Sequence, residues 1–343
     1  MIDMPEDFNR WPFLRHVMGE YRDVLVETYL DSDRTSLAAQ ARHKRWVLCA
    51  AFLATLAVSL AILQLAGLRV RGIVWLEVMS VVLAALTFWL GYKSRREWLK
   101  ERHKAEQCRF LKFRSLISPE VHAEGNLPAE VCTRQFSREI ETLKTITYED
   151  VGEWLVEDEL PSPPGRIVGR SLEDLAQLRG YYREKRLEFQ AAYFKRQSER
   201  NVKGDQQWRR VPAWLFVGSV ICVGLHSVIE STPLNAYALR FVPRLVCDVP
   251  LFLLSFIALA ALLPVFGSGI RTWRSSREAT RNMSRFRAKY VALRNISQRL
   301  AGNRIKDDTE AEAILRDIWC SEQIMESEHR EWLRLMMEAE WMG

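Results

Sequence analysis

The sequence predicts an all-α integral membrane protein, with four spans in two transmembrane helical hairpins and long helical cytoplasmic extensions. Four apolar stretches of about 20 residues indicate this, because a helix of that length crosses a bilayer and satisfies its own backbone hydrogen bonds. They are Trp46–Leu68, Gly72–Tyr92, Val211–Ile229 and Val249–Phe266, and only Glu77 places a formal charge well inside any of them. The alternative is a soluble protein with four very apolar core helices, but core helices of this length rarely lack charges.

Basic residues flank the hairpins and predict the orientation of the chain. The connections within the hairpins contain only four arginines, Arg69, Arg71, Arg240 and Arg244. Because Lys and Arg accumulate on the cytoplasmic side, both termini and the long central segment are predicted to be cytoplasmic. The flanking basic residues are Arg42, Lys44, Arg45, Lys93, Arg95, Arg96, Lys100, Arg102, Lys104, Arg209, Arg210, Arg271, Arg274, Arg277 and Arg281.

The chain reads as two similar halves, 1–162 and 163–343, joined at the turn-rich segment 161–165. In each half a charged helix leads into a hairpin, and a basic helix leaves it. The leaving helix carries a Trp followed by a Phe, Trp98 and Phe110 in one half and Trp273 and Phe286 in the other. A two-span hairpin is a small unit, and repetition would supply four helices for each chain. We therefore predict an internal duplication.

No catalytic constellation is visible in the sequence. It contains no phosphate-cradling glycine motif, no HExxH and no GxSxG. His103, His122 and His329 stand on charged or loop segments, where we expect exposed side chains rather than metal ligands. The prediction is a protein that is not an enzyme and needs no cofactor.

A stripe of arginines follows the fourth span. Arg274, Arg277, Arg281 and Arg285 are spaced to share one helical face, and Glu278 is the only acidic residue in the segment 267–306. Arginines beside an aromatic side chain such as Phe286 favour an oligonucleotide, whose bases stack on rings. The alternative is that the arginines bind anionic lipid headgroups or acidic groups of a partner. Arg281 and Arg285 lie roughly 20–30 Å beyond the span if the helix continues.

One face of the second span is small and polar. Glu77, Ser80, Ala84 and Thr87 recur at helical spacing and are the candidate pore-lining residues. A carboxylate at membrane depth is costly and points to function, and a ring of them in an oligomer would favour cations. The alternative is that Glu77 lies near the outer interface and reaches water.

The C-terminal segment 307–343 is strongly acidic, with eleven acidic residues against three arginines, a net charge of −8 in a chain of net charge +6. Ile318, Met325 and Trp332 recur every seven residues, which predicts a stripe that packs against a partner helix, from this chain or another subunit. Its charge suggests that it lies against the basic cytoplasmic helices.

The second half has a charged helix, a hairpin, a basic helix and a final acidic helix, with the marked residues Tyr182, Arg186, Gln190, Tyr193, Phe194, Lys195, Trp208, Glu331 and Trp332. Through this pattern, residues 170–343 resemble the SLATT group, two-span membrane modules of bacterial nucleotide-signalling and phage-defence operons. In the first half the resemblance is one of layout, with Trp98, Arg102, Ala105, Glu106 and Arg109 as its best fragment.

The resemblance implies a pore-forming or membrane-perturbing effector in the bacterial inner membrane. Its implied signal is an oligonucleotide or cyclic nucleotide, made by a neighbouring nucleotidyltransferase. With four spans, the chain is also similar to the channel subunits of Hailong anti-phage systems, for which the implied signal is a single-stranded oligodeoxyadenylate and the implied assembly a homotetramer. The competing function is a non-conducting membrane scaffold that recruits a soluble partner.

Overall fold

The computed structural model describes residues 9–12, 22–65, 72–117, 129–156, 172–231, 249–275, 279–302, 305 and 307–338. Every regular element in these ranges is helical, as the sequence predicted. The elements are α1 (Arg22–Leu65), α2 (Ile73–Ser115), α3 (Ala129–Thr145), α4 (Tyr148–Val156), α5 (Leu172–Tyr182), a π-helical turn (Arg183–Glu188), α6 (Phe189–Arg209), α7 (Val211–Ser231), α8 (Val249–Ser275), α9 (Ala279–Arg299) and α10 (Asp308–Glu338).

Within the described residues, four helices are long and apolar enough to cross a membrane, which suggests a membrane protein. They are α1, α2, the segment Val211–Val228 of α7 and the segment Ser255–Thr272 of α8. Helices α1 and α2 have 44 and 43 residues, far more than a span needs, because charged helical sequence continues beyond each apolar stretch. Pairing into hairpins, the duplication, the identity of the membrane and the side of the termini remain predictions.

The chain divides into two compact units. The first comprises Met1–Ala41, Ser94–Gln197 and Ser284–Gly343, and the second comprises Arg42–Lys93 and Ser198–Met283. Each unit draws residues from both sequence halves, so a compact unit does not coincide with a half. The apolar stretches all belong to the second unit, and the first unit contains most of the charged helices.

The core of the first unit forms around α10. Ile318 and Met325 are buried in the main apolar cluster, and Trp332 packs edge-on against Trp98 with ring centroids 5.6 Å apart. The stripe predicted at seven-residue spacing is therefore a packing surface, and its partners lie within the same chain. Leu333 extends this packing into a second cluster with Val151 and Leu155 of α4.

The second unit packs its helices through small residues and exposes large apolar side chains. A Cβ added at Gly269 would lie 2.7 Å from Oγ1 of Thr55, and one added at Gly91 would lie 3.3 Å from Cβ of Trp46. The Ser219 hydroxyl donates a hydrogen bond of 2.7 Å to the carbonyl of Ala260. Small residues at crossings let membrane helices approach closely. The exposed apolar side chains suit contact with lipid.

Candidate functional site: a polar helix face and a buried charge network

The candidate pore-lining residues share one face of α2 within the second unit. Ser80 and Thr87 are buried, with 3% and 9% exposure, and Ala84 between them is half-buried. Their hydroxyls donate to the carbonyls of Leu76 and Leu83, one turn earlier on α2. The opposite face is exposed and apolar, and includes Val78, Val82, Leu83 and Leu86. The structure thus separates a polar inner face of α2 from an apolar outer face.

Glu77 has a hydrogen-bond partner that sequence reasoning missed. Nε2 of Gln64, next to the last residue of α1, donates to Oε2 of Glu77 over 2.6 Å. Gln64 is the only amide side chain in the first apolar stretch, and this isolation was the available signal. Gln64 lies near the C-terminal end of α1, and Glu77 lies near the N-terminal end of α2. Their hydrogen bond therefore fits a position of Glu77 near one end of the span.

The arginine stripe is only partly described. Arg277 lies outside the described residues, and the side chains of Arg274 on α8 and Arg281 on α9 also lie outside them. Arg285 is described, and its Nη2 lies 3.0 Å from Oε2 of Glu331 on α10. Phe286 stacks on Phe194 with ring centroids 5.6 Å apart, as part of the apolar packing of the first unit.

Helices α9 and α10 run antiparallel in one register. Arg299 pairs with Asp317 at 2.7 Å, Lys289 donates to the hydroxyl of Ser327 over 3.4 Å, and Arg285 pairs with Glu331. From one pair to the next, the position on α9 falls by ten and then four residues, and the position on α10 rises by the same steps. The acidic helix therefore lies against the basic helix, as their opposite charges suggested.

A fully buried ion pair connects α10 with the π-helical turn. Nε and Nη2 of Arg186 donate to the two carboxylate oxygens of Glu322 over 2.9 and 2.8 Å. The hydroxyl of Tyr182 donates to Oε1 of Glu322 over 2.6 Å, and burial raises the pKa of Tyr182 well above its ordinary value. Single π-helical turns often mark functional sites. Tyr182 and Arg186, which carry the SLATT resemblance, thus hold α10 in place.

A second buried cluster surrounds a histidine pair. Nδ1 of His103 lies 3.2 Å from Nε2 of His329, and the ring of Trp154 packs against His103 at 4.6 Å. Burial is the main reason that the pKa of His329 falls to about 4. Our expectation of exposed histidines is wrong for His103 and His329, because the apolar groups that cover them come from distant parts of the sequence. His122 lies outside the described residues.

The first half contains a comparable set of charges. Glu106 pairs with Arg102 at 2.6 Å and with Arg109 at 2.7 Å, and Arg109 also donates to the hydroxyl of Tyr29 on α1. Arg102, Glu106 and Arg109 belong to the fragment through which the layout of the first half resembles SLATT modules. In each half, marked residues therefore take part in ion pairs.

The charged side chains in the described ranges suit two roles, the joining of helices through ion pairs and the binding of anions. Within the described ranges, no group of three or more His, Cys, Asp or Glu side chains is placed to hold a metal ion. The charged side chains that α10 brings together are acids with arginines, which bind and orient anions or one another. No family model, curated protein or solved structure matches the chain. The SLATT resemblance therefore rests on the residues quoted above.

Proposed function

We propose that this protein is the membrane effector of a bacterial anti-phage nucleotide-signalling system. Its homo-oligomer, a tetramer by resemblance, forms an ion channel in the inner membrane. The channel is gated by an oligonucleotide or cyclic-nucleotide signal on the basic cytoplasmic side, and a neighbouring nucleotidyltransferase makes the signal. The observation that carries the proposal is the polar inner face of α2 with Glu77, Ser80 and Thr87.

The polar face supports conduction for an energetic reason. A carboxylate at the centre of a span costs about 2.5–3.5 kcal/mol on insertion scales and less toward the end of the span, where Glu77 lies, and carboxylates within spans usually serve a polar path. Within the described residues, Glu77 accepts a hydrogen bond from Gln64 at Oε2, and its Oε1 could accept a bond from water or bind a cation. Rings of acidic side chains give cation channels their selectivity. Copies of Glu77 around an oligomer axis would form such a ring.

The basic helix α9 supports the proposal that the signal is an anionic ligand. Arg285 carries a buried Nε that donates to no partner among the described residues, and a guanidinium with a free donor suits phosphate. The first unit, which contains Arg285, is covalently linked to the apolar stretches of the second unit. Helix α2 contributes Ile73–Lys93 to the second unit and Ser94–Ser115 to the first. A ligand that favours one arrangement of these helices would shift the channel between its states.

A non-conducting scaffold is the second candidate. Glu77 pairs with Gln64, Arg285 with Glu331, and Phe286 stacks on Phe194. Each of these side chains thus has a partner within the chain, which a scaffold would need and which requires neither a pore nor a signal.

Bilayer conductance separates the two candidates. The purified protein is reconstituted into planar bilayers, and current is recorded with and without single-stranded oligodeoxyadenylate, other oligonucleotides and cyclic nucleotides. We expect a conductance that at least one of these ligands changes, and loss of that response in Arg281→Glu/Arg285→Glu. A protein that inserts but conducts nothing under any of these conditions would refute the channel and favour the scaffold.

A further inference from the structure

Helix α10 holds two sets of acidic side chains that differ in burial. Glu322 and Glu326 are buried within the first unit, where Arg186 and Arg114 pair with them. The second set, Asp317 and Glu331, pairs with α9 and is more accessible, with side chains that are 22% and 53% exposed. Separating a buried pair leaves desolvated charges and is costly, whereas an exposed pair contributes little. The buried acids thus anchor α10 in the first unit, whereas the exposed ion pairs with α9 add little to the apolar packing that holds the two helices together.

Three cations of α9 contact α10 on the side where these more accessible carboxylates lie. Arg285, Lys289 and Arg299 span fourteen residues, about 21 Å of helix at 1.5 Å per residue. The Arg299 side chain is 56% exposed, although Asp317 binds it through both Nε and Nη2. These three side chains, called the α9 cation row below, present several donors along one edge.

Arg285 is the least satisfied member of the α9 cation row. Its Nη2 contacts Oε2 of Glu331, and also the carbonyl of Glu328 over 3.5 Å, while its buried Nε has no partner among the described residues. Guanidinium presents a planar fork of donors that phosphate oxygens fill in pairs. One carboxylate oxygen therefore leaves part of this fork unused.

We propose that the α9 cation row is the binding site for a phosphate-bearing polyanion, and that Asp317 and Glu331 act as its internal competitor. The inference rests on the proposed function, whose signal is such a polyanion. Phosphates would displace the two carboxylates toward water, where Glu331 is already half exposed. The buried pairs of Glu322 and Glu326 would keep α10 folded during the exchange.

The neighbouring carboxyl of Glu328 supports the exchange. Burial raises the pKa of Glu328 to about 7, against the opposing effect of Arg285. A carboxyl that is partly protonated at neutral pH repels an incoming phosphate less than a carboxylate does. The edge of α10 that meets Arg285 therefore carries less negative charge than its composition suggests.

Removing the competitor tests the proposal. The probe is a fluorescently labelled single-stranded oligodeoxyadenylate, and its affinity for the full chain in detergent is measured by anisotropy at low and high salt. Asp317→Asn/Glu331→Gln should bind it about three- to tenfold more tightly than the parent. The matched control, Glu153→Gln/Glu312→Gln, makes the same change of charge at two exposed carboxylates outside the α9–α10 register. Arg285→Gln/Lys289→Gln should weaken binding at least tenfold.

The outcomes separate this inference from the proposed function. Equal tightening in the test and control variants would show a general charge effect and overturn the competitor, while the oligonucleotide receptor would stand. Parent-like binding by Arg285→Gln/Lys289→Gln would overturn the site. Absence of binding by the parent and every variant would refute the oligonucleotide signal and this inference together. If the double variant aggregates, Glu331→Gln is compared with Glu312→Gln instead, since each removes one charge from an exposed side chain.

Discussion

Arg186 and Glu322 form a bidentate ion pair in which each side chain is only 1% exposed. The arginine belongs to a π-helical turn of the second half, and the glutamate to the acidic C-terminal helix. The guanidinium also lies 4.6 Å from the ring centroid of Phe113 on α2. This pair therefore joins three segments of the chain, and α10 is part of the core rather than a solvated tail.

Removal of one partner should destabilise the first unit strongly. Glu322→Gln leaves Arg186 as a buried charge without a carboxylate, and we expect a loss of about 3–5 kcal/mol in the free energy of unfolding. Chemical unfolding in detergent, followed by tryptophan fluorescence, measures the change. Truncation at Asp307 should likewise prevent the unit from folding.

The exposed residue Glu312 of α10 provides the control for that measurement. Glu312→Gln should change the free energy of unfolding by less than about 0.5 kcal/mol. The double substitution Arg186→Met/Glu322→Leu removes both charges and should recover much of the loss. Equal effects of Glu322→Gln and Glu312→Gln would contradict the structural role of the pair.

Acid should destabilise the protein through His329. The folded protein keeps this side chain neutral down to about pH 4, while the unfolded chain takes up a proton near pH 6.5. Between these values the unfolded state binds more protons at this residue, so the contribution of His329 to stability falls as the pH is lowered, by roughly 3 kcal/mol at pH 4. The groups that act on His329 are Glu106, which favours protonation, and Arg102, Arg109 and Arg330, which oppose it.

Comparison with His329→Gln tests this effect together with its coupling to His103, whose pKa is lowered by burial and by the neighbouring His329. The carboxyl of Glu328, whose pKa is raised to about 7, has the opposite effect, because its contribution to the free energy of unfolding falls as the pH rises. This effect is present in both proteins. The difference between the two unfolding free energies should therefore shrink steadily from pH 7 to pH 4. A constant difference across this range would show that His329 does not titrate in this way.

Hydropathy and periodicity predicted much of the fold. The four apolar stretches and the packing of Ile318 and Met325 follow from composition and spacing alone, because each depends on local sequence. Burial of His103 and His329 could not be predicted, since it depends on aromatic side chains from α4 and α10. The same holds for Arg186, whose carboxylate partner is 136 residues away in the sequence.

The candidate site was predicted less completely. The spacing of Ser80 and Thr87 was enough to place them on one face of α2. Gln64 was missed as the partner of Glu77, because nothing local to either residue shows how α1 and α2 align. Pairing of Arg285 with α10 could be anticipated from net charge, but not its register.

Gly269 should be intolerant of any side chain. A Cβ there would meet the Thr55 hydroxyl at 2.7 Å, and that hydroxyl is already committed to the carbonyl of Ala51. We expect Gly269→Ala to lower the stability of the second unit by about 1–3 kcal/mol, as overpacking does. Gly224→Ala is the matched control, because no atom lies within 4 Å of its added Cβ.

The contact with Thr55 can be tested directly by a double-mutant cycle. Thr55→Ala should restore most of the stability lost in Gly269→Ala, while it should not alter the effect of Gly224→Ala. Thermal unfolding in the same detergent gives all the values. If Gly269→Ala and Gly224→Ala behave alike, the close approach between α1 and α8 is contradicted.

Glu77 should set ion selectivity if the polar face of α2 borders an aqueous path. Glu77→Gln can keep an amide–amide hydrogen bond with Gln64 and should remain folded, but it removes the negative charge and should reduce the preference for cations. Glu77→Lys should invert that preference or abolish conduction. Reversal potentials in asymmetric salt measure the selectivity, and Glu97→Gln, outside the apolar stretch of α2, controls for loss of charge. Parent-like selectivity in both Glu77 variants would mean that Glu77 faces no conducting path, and the pair with Gln64 would then be a structural contact of a scaffold.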